Sequence, residues 1–451
     1  MSAGSNKAPC EIGQNYTLKI TDLNHQGDGV GKVEGFTLFV PLALPGEEVQ
    51  VEVTALHKTY GEARITSIEN RSADRVEPLC PYFGRCGGCQ LQHFAYEKQL
   101  SWKQHMVTET LRRIAGIETP VLPIIAMDNP WRYRNKAQIH IANVKGRVVT
   151  GFYEQGSHNI IDLKQCPVQH PVNEEMISVL RRALQKYSEQ SGETTASGVP
   201  ITSAVIRSSF ESGRCIIALN SAAGRTYINR SKQLASLIAL EAGSKVSGIV
   251  LLHPGKKAGI TVLAGQSNLE ETVAPFRYQV SPHSFFQVNP QQAKKLYECA
   301  ASFSGNPRTA YDLYCGTGNF SLYLSQVAEK VIGVDSEKAA IEDATANAVL
   351  NKVNNISFVN TRAEAISALL QKGEHPVTIF LNPPRKGCSP ALIADVIKAE
   401  PERIVYISCN PATLARDLGL LQKAGFTTQK VQPLDMFPHT SHVETVALMT
   451  K

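Results

Sequence analysis

The sequence lacks any apolar run near the roughly 18 residues that a membrane-spanning helix needs. Its start, Met1 to Cys10, also lacks the apolar stretch of a signal peptide. Charge is scarce and nearly balanced: charged residues make up 19%, with 46 Lys and Arg against 40 Asp and Glu. Because 43% of the residues are hydrophobic, a disordered or strongly acidic chain is excluded. We expect a soluble, cytoplasmic, monomeric protein whose 451 residues form about two to four domains.

Cysteines, in contrast, are not scarce, and they are unevenly placed along the chain. The chain has ten, and because the cytoplasm keeps thiols reduced we expect no disulfide framework. Cys80, Cys86 and Cys89 lie close together, and Cys166, before a proline, lies further along. Four soft thiolate ligands fit either a 4Fe–4S cluster or a structural zinc ion. Zinc sites favour two close pairs of ligands, so three clustered cysteines and a distant fourth favour iron–sulfur.

Hydrophobic patterns and turn signals divide the chain into three regions. Residues 11–72 show short alternating segments, with a turn over Gly27 to Gly31, which predicts a small OB-like β-barrel. Residues 79–270 combine strand-like runs with a predicted helix at 95–115, which indicates a central α+β domain. In residues 275–451 strands and helices alternate, which predicts a doubly wound, Rossmann-like parallel sheet with an antiparallel last strand.

A glycine-rich turn follows the first strand of the third region, in Asp312-Leu-Tyr-Cys-Gly-Thr-Gly-Asn-Phe320. Gly316 and Gly318 allow the backbone to turn tightly and to approach a ligand. Asp335 ends the next strand, where a carboxylate can accept hydrogen bonds from ribose hydroxyls. This pattern predicts a site for a nucleotide-like cofactor.

Two further features distinguish S-adenosylmethionine from NAD. Ser321 stands where a dinucleotide-binding fold has its third glycine, so a pyrophosphate is disfavoured. Asn382-Pro-Pro384 ends a later strand and forms a rigid wall suited to placing a planar base beside a methyl donor. Amino-group methyltransferases usually continue this turn with an aromatic residue, whereas here Arg385 follows.

Cys409 is the candidate nucleophile. It lies at the carboxyl end of a predicted strand, where open α/β sheets hold their ligands. Addition of a thiolate to carbon 6 of uracil makes carbon 5 able to attack a sulfonium methyl group. A base must then remove the proton from carbon 5, and Glu444, at the start of the final strand, is the candidate. Cys315 and Cys388 are competing thiols, to which we assign a structural role.

The stretch from residue 131 to residue 150 has five basic residues and no acidic one. The basic and aromatic side chains of this stretch are Trp131, Arg132, Tyr133, Arg134, Lys136, Lys145 and Arg147. Such interleaving suits phosphate contact together with base stacking, although a solvated surface has a similar composition. We predict RNA binding by residues 131–136, with the target base extruded to reach Cys409.

Together these motifs resemble the TRAM-domain-containing, iron–sulfur RNA (uracil-5-)-methyltransferases. The shared motifs span nearly the whole chain: Phe39-Val-Pro41, Leu44-Pro-Gly-Glu47, the cysteine cluster, Phe286-Gln-Val-Asn-Pro290, the glycine loop, Ser408-Cys-Asn-Pro411 and His442-Val-Glu444. The resemblance implies that Cys409 is the nucleophile and Glu444 the general base. It also supports a site for S-adenosylmethionine and the target base at Gln287, Tyr314, Gly316, Gly318, Asn319, Asp335 and Asn382, and a 4Fe–4S cluster on Cys80, Cys86, Cys89 and Cys166.

One residue departs from the family pattern: Asn382 stands where the family usually has Asp. Uracil offers a donor at N3 and an acceptor at O4, and an amide can pair with both, whereas a carboxylate only accepts. Asn382 is therefore compatible with uracil, and a flipped amide would also suit cytosine.

The resemblance favours formation of 5-methyluridine in 23S ribosomal RNA, because family members that combine the barrel and the cluster more often act there. The first alternative is the T-loop uridine of transfer RNA. A second, of another class, is a non-catalytic RNA-binding or ribosome-assembly protein. The presence of both Cys409 and Glu444 beside a cofactor loop argues against the second alternative. Because polar methyl transfer needs no electron, we expect the cluster to be structural or to position RNA.

Overall fold

The computed structural model describes residues 8–191, 201–221, 228–253, 259–282, 284–369, 375 and 377–451. The chain forms two compact units: Met1–Met106 with Phe437–Ser441, and Val107–Met436 with His442–Lys451. All ten cysteines lie within the described residues, and none of them forms a disulfide. Among the helices that the structure describes, none is both long and apolar enough to cross a membrane.

The first unit contains a six-stranded sheet in the order β1-β5-β6-β4-β3-β2. Its strands are β1 (Asn15–Lys19), β2 (Asp22–Leu23), β3 (Gly29–Val33), β4 (Phe36–Val40), β5 (Glu48–Leu56) and β6 (Tyr60–Asn70). Apolar side chains such as Leu18, Leu38 and Val51 form one buried cluster inside it. The Thr21 N–H donates to the Val30 carbonyl at 2.9 Å, so the chain after β1 meets β3 and the sheet curls around this core.

The turn predicted from Gly27 to Gly31 is only partly correct, because β3 begins at Gly29 and includes Gly31. A Cβ atom at Gly29 would lie 2.8 Å from the Ala43 Cβ, and one at Gly31 would lie 3.2 Å from the Leu18 side chain. These two glycines therefore permit close packing within a strand. Gly27, with a φ of 91°, is the turn residue.

Residues 71–95 continue the first unit as turns and isolated bridges that contain the three clustered cysteines. Arg75 ties this segment to the sheet, because its Nε lies 2.6 Å from the fully buried Glu47 carboxylate. Burial raises the pKa of Glu47, but its hydrogen bonds and the charge of Arg75 lower this pKa by a larger amount. The net shift is therefore downward. Helix α1 (Tyr96–Ala115) follows and agrees with the predicted helix at 95–115.

The second unit begins with a seven-stranded sheet in the order β13-β12-β11-β10-β7-β8-β9. Its strands are β7 (Lys136–Val144), β8 (Arg147–Tyr153), β9 (Ile160–Asp162), β10 (Ile201–Ser208), β11 (Cys215–Ser221), β12 (Val246–Leu252) and β13 (Ile260–Gly265). Only the β11–β12 pair is parallel among the neighbouring strands of this sheet. Helices α2 (Pro171–Ser191) and α3 (Ile228–Ala242) contact each other and the sheet.

A hairpin of β14 (Leu269–Val273) and β15 (Phe276–Val280) leads to the third sheet, in the order β18-β17-β16-β19-β20-β22-β21. The strands are β16 (Thr309–Leu313), β17 (Lys330–Asp335), β18 (Ile356–Asn360), β19 (Val377–Leu381), β20 (Arg403–Ser408), β21 (Thr427–Leu434) and β22 (Glu444–Thr450). The helices are α4 (Pro290–Ser302), α5 (Asn319–Leu324), α6 (Lys338–Leu350), α7 (Ile366–Leu369), α8 (Pro390–Lys398) and α9 (Pro411–Lys423).

The direction of the strands in the third sheet determines where polar groups meet. Strands β18, β17, β16, β19 and β20 are parallel, and β22 is antiparallel to both of its neighbours, as predicted for the last strand. Residues that follow the parallel strands therefore lie at the same edge at which β22 starts. Asp335, Asn382, Cys409 and Glu444 all lie along this edge, and Cys409 and Glu444 belong to neighbouring strands.

Candidate active site

Strand pairing places Cys409 beside Glu444. Ser408, the last residue of β20, pairs with Thr445 of β22. Cys409 follows Ser408 and Glu444 precedes Thr445, so the two are neighbours across the antiparallel pair. The Glu444 side chain is only 7% exposed, and burial raises the pKa of its carboxyl to about 8, against the lowering effect of Arg385. Burial therefore favours the neutral, protonated form of the Glu444 carboxyl group.

Arg385 is the third member of this site and was not among the predicted site residues. Its carbonyl accepts hydrogen bonds from Asn410 Nδ2 at 3.2 Å and from Thr413 Oγ1 at 3.3 Å, which fixes the loop after β19 to the start of α9. Its guanidinium Nη2 lies 3.3 Å from His442 Nε2 and makes a hydrogen bond with Cys409. A positive charge thus lies beside both the candidate nucleophile and the candidate base.

The thiol of Cys409 is half-buried, and its environment opposes ionisation. Burial raises the pKa of Cys409, and the Glu444 carboxylate raises it further, whereas Arg385 lowers it. Protonation of Glu444 removes one of the two opposing effects. The Cys409 thiol is therefore easier to ionise when Glu444 is neutral and Arg385 is in place, although burial still opposes the thiolate.

The two competing thiols are less accessible. Cys315 is 7% exposed and Cys388 is 4% exposed. Burial raises the pKa of Cys388 to about 12 and also raises that of Cys315. Both values disfavour a thiolate, which supports the structural role expected for these cysteines.

The glycine-rich turn after β16 has the geometry of a ligand-binding loop. Tyr314, Gly316 and Gly318 have φ values of 66°, 53° and 74°. The Asp335 carboxylate accepts hydrogen bonds from the N–H groups of Gly316, at 3.0 Å, and Glu337, at 2.9 Å. These bonds orient the carboxylate and leave other lone pairs for a ligand.

A cavity of about 380 Å³ opens beside this loop at the strand ends. It is lined by Tyr314, Val334, Asp335, Ser336, Arg362, Ala363, Glu364, Pro384, Lys386, Gly387 and Ser389. Tyr314 and Asp335 are in the predicted cofactor set, and the other lining residues were missed. Arg362 and Glu364 follow β18, so the strand-end rule that selected Asp335 could have found them.

The other predicted cofactor residues are Gln287, Gly316, Gly318, Asn319 and Asn382, and they do not line this cavity. Asn319 starts α5, where its Oδ1 accepts a hydrogen bond from Thr317 Oγ1 at 3.1 Å. Gln287 is buried, and its carbonyl accepts a hydrogen bond from Asn135 Nδ2 at 3.3 Å. The half-buried Asn382 makes no side-chain hydrogen bond within the described part of the chain, so its amide is available to a ligand.

The clustered cysteines lie in the first unit, whereas Cys166 lies in the second. Cys80, Cys86 and Cys89 are half-buried, and burial raises the pKa of Cys80, with a further rise from the charge of Cys86. Thiols are suitable ligands for a soft metal. However, the residues that the structure describes contain no group of three or more His, Cys, Asp or Glu arranged to hold a metal ion.

The predicted RNA-binding segment needs one correction. Tyr133 is 1% exposed, so its ring offers no face for base stacking. The N–H groups of Arg132 and Arg134 donate to the carbonyls of Pro167 and Val168, and these bonds hold the backbone on both sides of Tyr133 against residues 167–168. Arg132 also pairs with Glu174. Trp131 and Lys136 are partly exposed.

Comparisons with known proteins agree with this architecture. Residues 9–66 match the TRAM domain family, and residues 254–451 match the family described as tRNA (Uracil-5-)-methyltransferase. An RNA methyltransferase of Clostridium tetani, itself uncharacterized, is 39% identical over 453 residues, which cover 98% of this chain and 97% of the relative. Another from Listeria innocua is 39% identical over 447 residues, covering 97% and 98%.

A solved structure is also similar along nearly the whole chain. It is the Pyrococcus abyssi tRNA (uracil-54, C5)-methyltransferase in complex with S-adenosyl-L-homocysteine. The TM-score is 0.75 at 26% sequence identity, and the match covers 96% of this chain and 100% of the other.

Proposed function

The chain belongs to the RNA methyltransferase family of these relatives, with a TRAM domain and a tRNA (uracil-5-)-methyltransferase domain, and on that premise we propose that it forms 5-methyluridine in 23S ribosomal RNA through a covalent Cys409 adduct. The main support is the pairing of β20 with β22, which sets a thiol beside a buried carboxyl group. The proposal includes a monomeric enzyme in the cytoplasm, where RNA and S-adenosylmethionine are both present.

Bound S-adenosylmethionine would supply an electrophilic methyl group. Tyr314 and Asp335 line the cavity that would hold this cofactor. Cys409 adds as a thiolate to carbon 6 of uracil, and the electron pair of the C5–C6 double bond moves toward O4. Carbon 5 then bonds the methyl carbon as the methyl–sulfur bond breaks. Glu444, as a carboxylate, takes the proton from carbon 5, and the double bond re-forms as the Cys409 thiolate leaves.

Ribosomal RNA is supported by the sequence resemblance, and transfer RNA is the second candidate because the similar P. abyssi enzyme acts on tRNA. Unmodified 23S rRNA and unmodified tRNA, both prepared by transcription in vitro, are incubated separately with the enzyme and methyl-labelled S-adenosylmethionine. Each RNA is then digested to nucleosides. Labelled 5-methyluridine from 23S rRNA alone is the expected result. Label in tRNA alone overturns the ribosomal assignment, and binding of both RNAs with no transfer indicates the non-catalytic alternative.

Arg385→Ala is expected to raise the pKa of the Cys409 thiol and to slow methylation by about 10–100-fold, because one charge-assisted hydrogen bond is lost. The measurement is the pH profile of Cys409 alkylation, read by mass spectrometry, beside the methylation rate. Arg113→Ala, at an arginine whose side chain is 70% exposed on α1, is the control and leaves both unchanged. An unshifted alkylation profile in Arg385→Ala would contradict a role in stabilising the thiolate.

Asn382→Asp restores the residue usual in the family and is expected to keep uracil methylation within about tenfold of the parent rate. A change of that size corresponds to the free energy of one neutral hydrogen bond. Nucleoside analysis by mass spectrometry measures 5-methyluridine and any 5-methylcytidine. Complete loss of activity would show that the amide has a further, essential role.

We propose that Cys80, Cys86, Cys89 and Cys166 hold a 4Fe–4S cluster with a structural or RNA-positioning role. The support is the spacing of these cysteines and the soft character of thiolate ligands. Anaerobically purified protein is then expected to be brown, to absorb at about 400 nm and to contain iron and sulfide, as iron–sulfur proteins do. A colourless protein with stoichiometric zinc would assign the site to zinc.

A further inference from the structure

The hairpin between β7 and β8 and the second half of α2 flank an open groove of about 730 Å³ that is separate from the cofactor loop. We call it the hairpin–helix groove, and it is lined by Lys145, Gly146, Arg147, Val148, Arg181, Arg182, Gln185, Lys186 and Glu189. Five of these side chains are basic and one is acidic. Lys145 and Gly146, with φ values of 53° and 83°, form the two-residue hairpin turn.

Hydrogen bonds hold the two walls of the groove together. Gln185 on α2 accepts the Val148 N–H at 2.8 Å and donates to the Gly146 carbonyl at 3.4 Å, which fixes the hairpin to the helix. Gln185 also donates to Glu189 at 3.0 Å, so the single carboxylate of the lining is engaged. The groove is therefore a built surface and not a chance gap between side chains.

The basic side chains differ in how far they are neutralised. Arg147 and Arg181 share Asp162, each at 3.0 Å, and Arg182 pairs with Glu241 at 2.8 Å. Lys145 and Lys186 are exposed and make no ion pair with any residue that the structure describes. With Glu189, Asp162 and Glu241 included, the groove has three negative charges against five positive ones. An anionic partner would compensate the excess.

We propose that the hairpin–helix groove binds the phosphate backbone of the RNA substrate, at a site apart from the target base. This rests on the proposed function, because the partner is the RNA that the enzyme methylates. Arginine forks and lysine ammonium groups suit phosphate oxygens, and a lining without an aromatic side chain offers no base stacking. The contact is therefore independent of sequence and sensitive to salt. The lining also lacks the aromatic anchors of a protein interface.

The groove also accounts for the distribution of charge along residues 131–150. Arg132 is paired with Glu174, and burial lowers the pKa of Lys136, with further lowering by Arg207 and Arg134. Lys145 and Arg147, at the exposed end of the same basic stretch, line the groove together with the basic side chains of α2.

The test uses the full-length double variant Lys145→Glu/Lys186→Glu. The probe is a 30-base-pair RNA duplex without a target uridine loop, and its dissociation constant is measured by fluorescence anisotropy across a series of NaCl concentrations. We expect about tenfold weaker binding, and a slope of log K against log salt that is smaller by roughly 1–2. S-adenosylhomocysteine binding and the melting temperature stay unchanged.

The matched control is Lys232→Glu/Lys398→Glu, which makes the same charge change at exposed lysines on α3 and α8. Equal effects of the two double variants on RNA binding would overturn the proposal. Weakened binding of polyglutamate with unaltered RNA binding would overturn it in favour of an acidic protein partner. Failure of the proposed function is distinguishable from failure of this proposal. A wild-type protein that methylates no RNA would still bind the duplex, and Lys145→Glu/Lys186→Glu would still weaken that binding.

Discussion

Cys409→Ala is expected to lower the methylation rate at least about 1,000-fold, as loss of an enzymic nucleophile does. Without the thiol, carbon 6 of uracil gains no adduct and carbon 5 remains a poor nucleophile. The variant is expected to fold, because Cys409 is half-buried at a strand end and not part of the packed core. Rates are measured with methyl-labelled S-adenosylmethionine, and S-adenosylhomocysteine affinity is measured in parallel.

Cys388→Ala is the matched control for the thiol itself. Cys388 belongs to the same sheet edge but is buried, and its N–H donates to Asp417 at 2.9 Å through the backbone, which alanine retains. Its activity should remain close to that of the parent protein when compared at equal folded fraction. Methylation by Cys409→Ala at the parent rate would exclude the covalent mechanism.

Glu444→Gln is expected to slow turnover by about 100–10,000-fold, the range that general acid–base catalysis contributes. The block differs from that of Cys409→Ala, because methyl transfer still takes place once. The adduct then cannot lose its carbon 5 proton, so methylated RNA stays bound to Cys409. A denaturing gel with labelled RNA measures this species, and Glu364→Gln, at a carboxylate of the cofactor cavity, serves as a comparison that forms no such adduct. Free product without adduct in Glu444→Gln would assign the base to another residue.

The raised pKa of Glu444 also predicts two pH dependences. Catalysis needs the carboxylate, and the pKa is about 8, so turnover should fall as the pH decreases below 8. Stability should show the opposite trend: the folded state retains a proton that the unfolded chain releases above its pKa of 4.5, so stability falls as the pH rises from 4.5 through 8. Glu444→Gln removes this term, and its melting temperature at pH above 8 should exceed that of the parent.

The sequence was most informative where chain direction alone places a residue. Asp335 and Cys409 end parallel strands, and such ends meet at one edge of the sheet. Glu444 begins an antiparallel strand at the same edge, so its proximity to Cys409 follows once β22 lies beside β20. Periodicity alone supported the third sheet, although β21 (Thr427–Leu434) was not anticipated.

Other features depend on contacts that a linear pattern does not contain. Arg385 was noted only as a departure from an aromatic residue, and its link to Asn410 and Thr413 is visible only in three dimensions. The burial of Tyr133 depends on pairing with residues more than thirty positions away, as the Arg132 N–H bond to Pro167 shows. A basic and aromatic composition therefore located charge along the chain without showing which side chains reach the surface.

The most direct test of the account uses RNA in which uridine is replaced by 5-fluorouridine. Carbon 5 then has fluorine in place of hydrogen, so Glu444 has no proton to remove after methyl transfer, and Cys409 cannot leave. Mass spectrometry of the digested complex is expected to find methylated 5-fluorouridine attached to the peptide that contains Cys409. Methyl transfer to ordinary RNA together with no such adduct, or an adduct on another residue, would contradict the account.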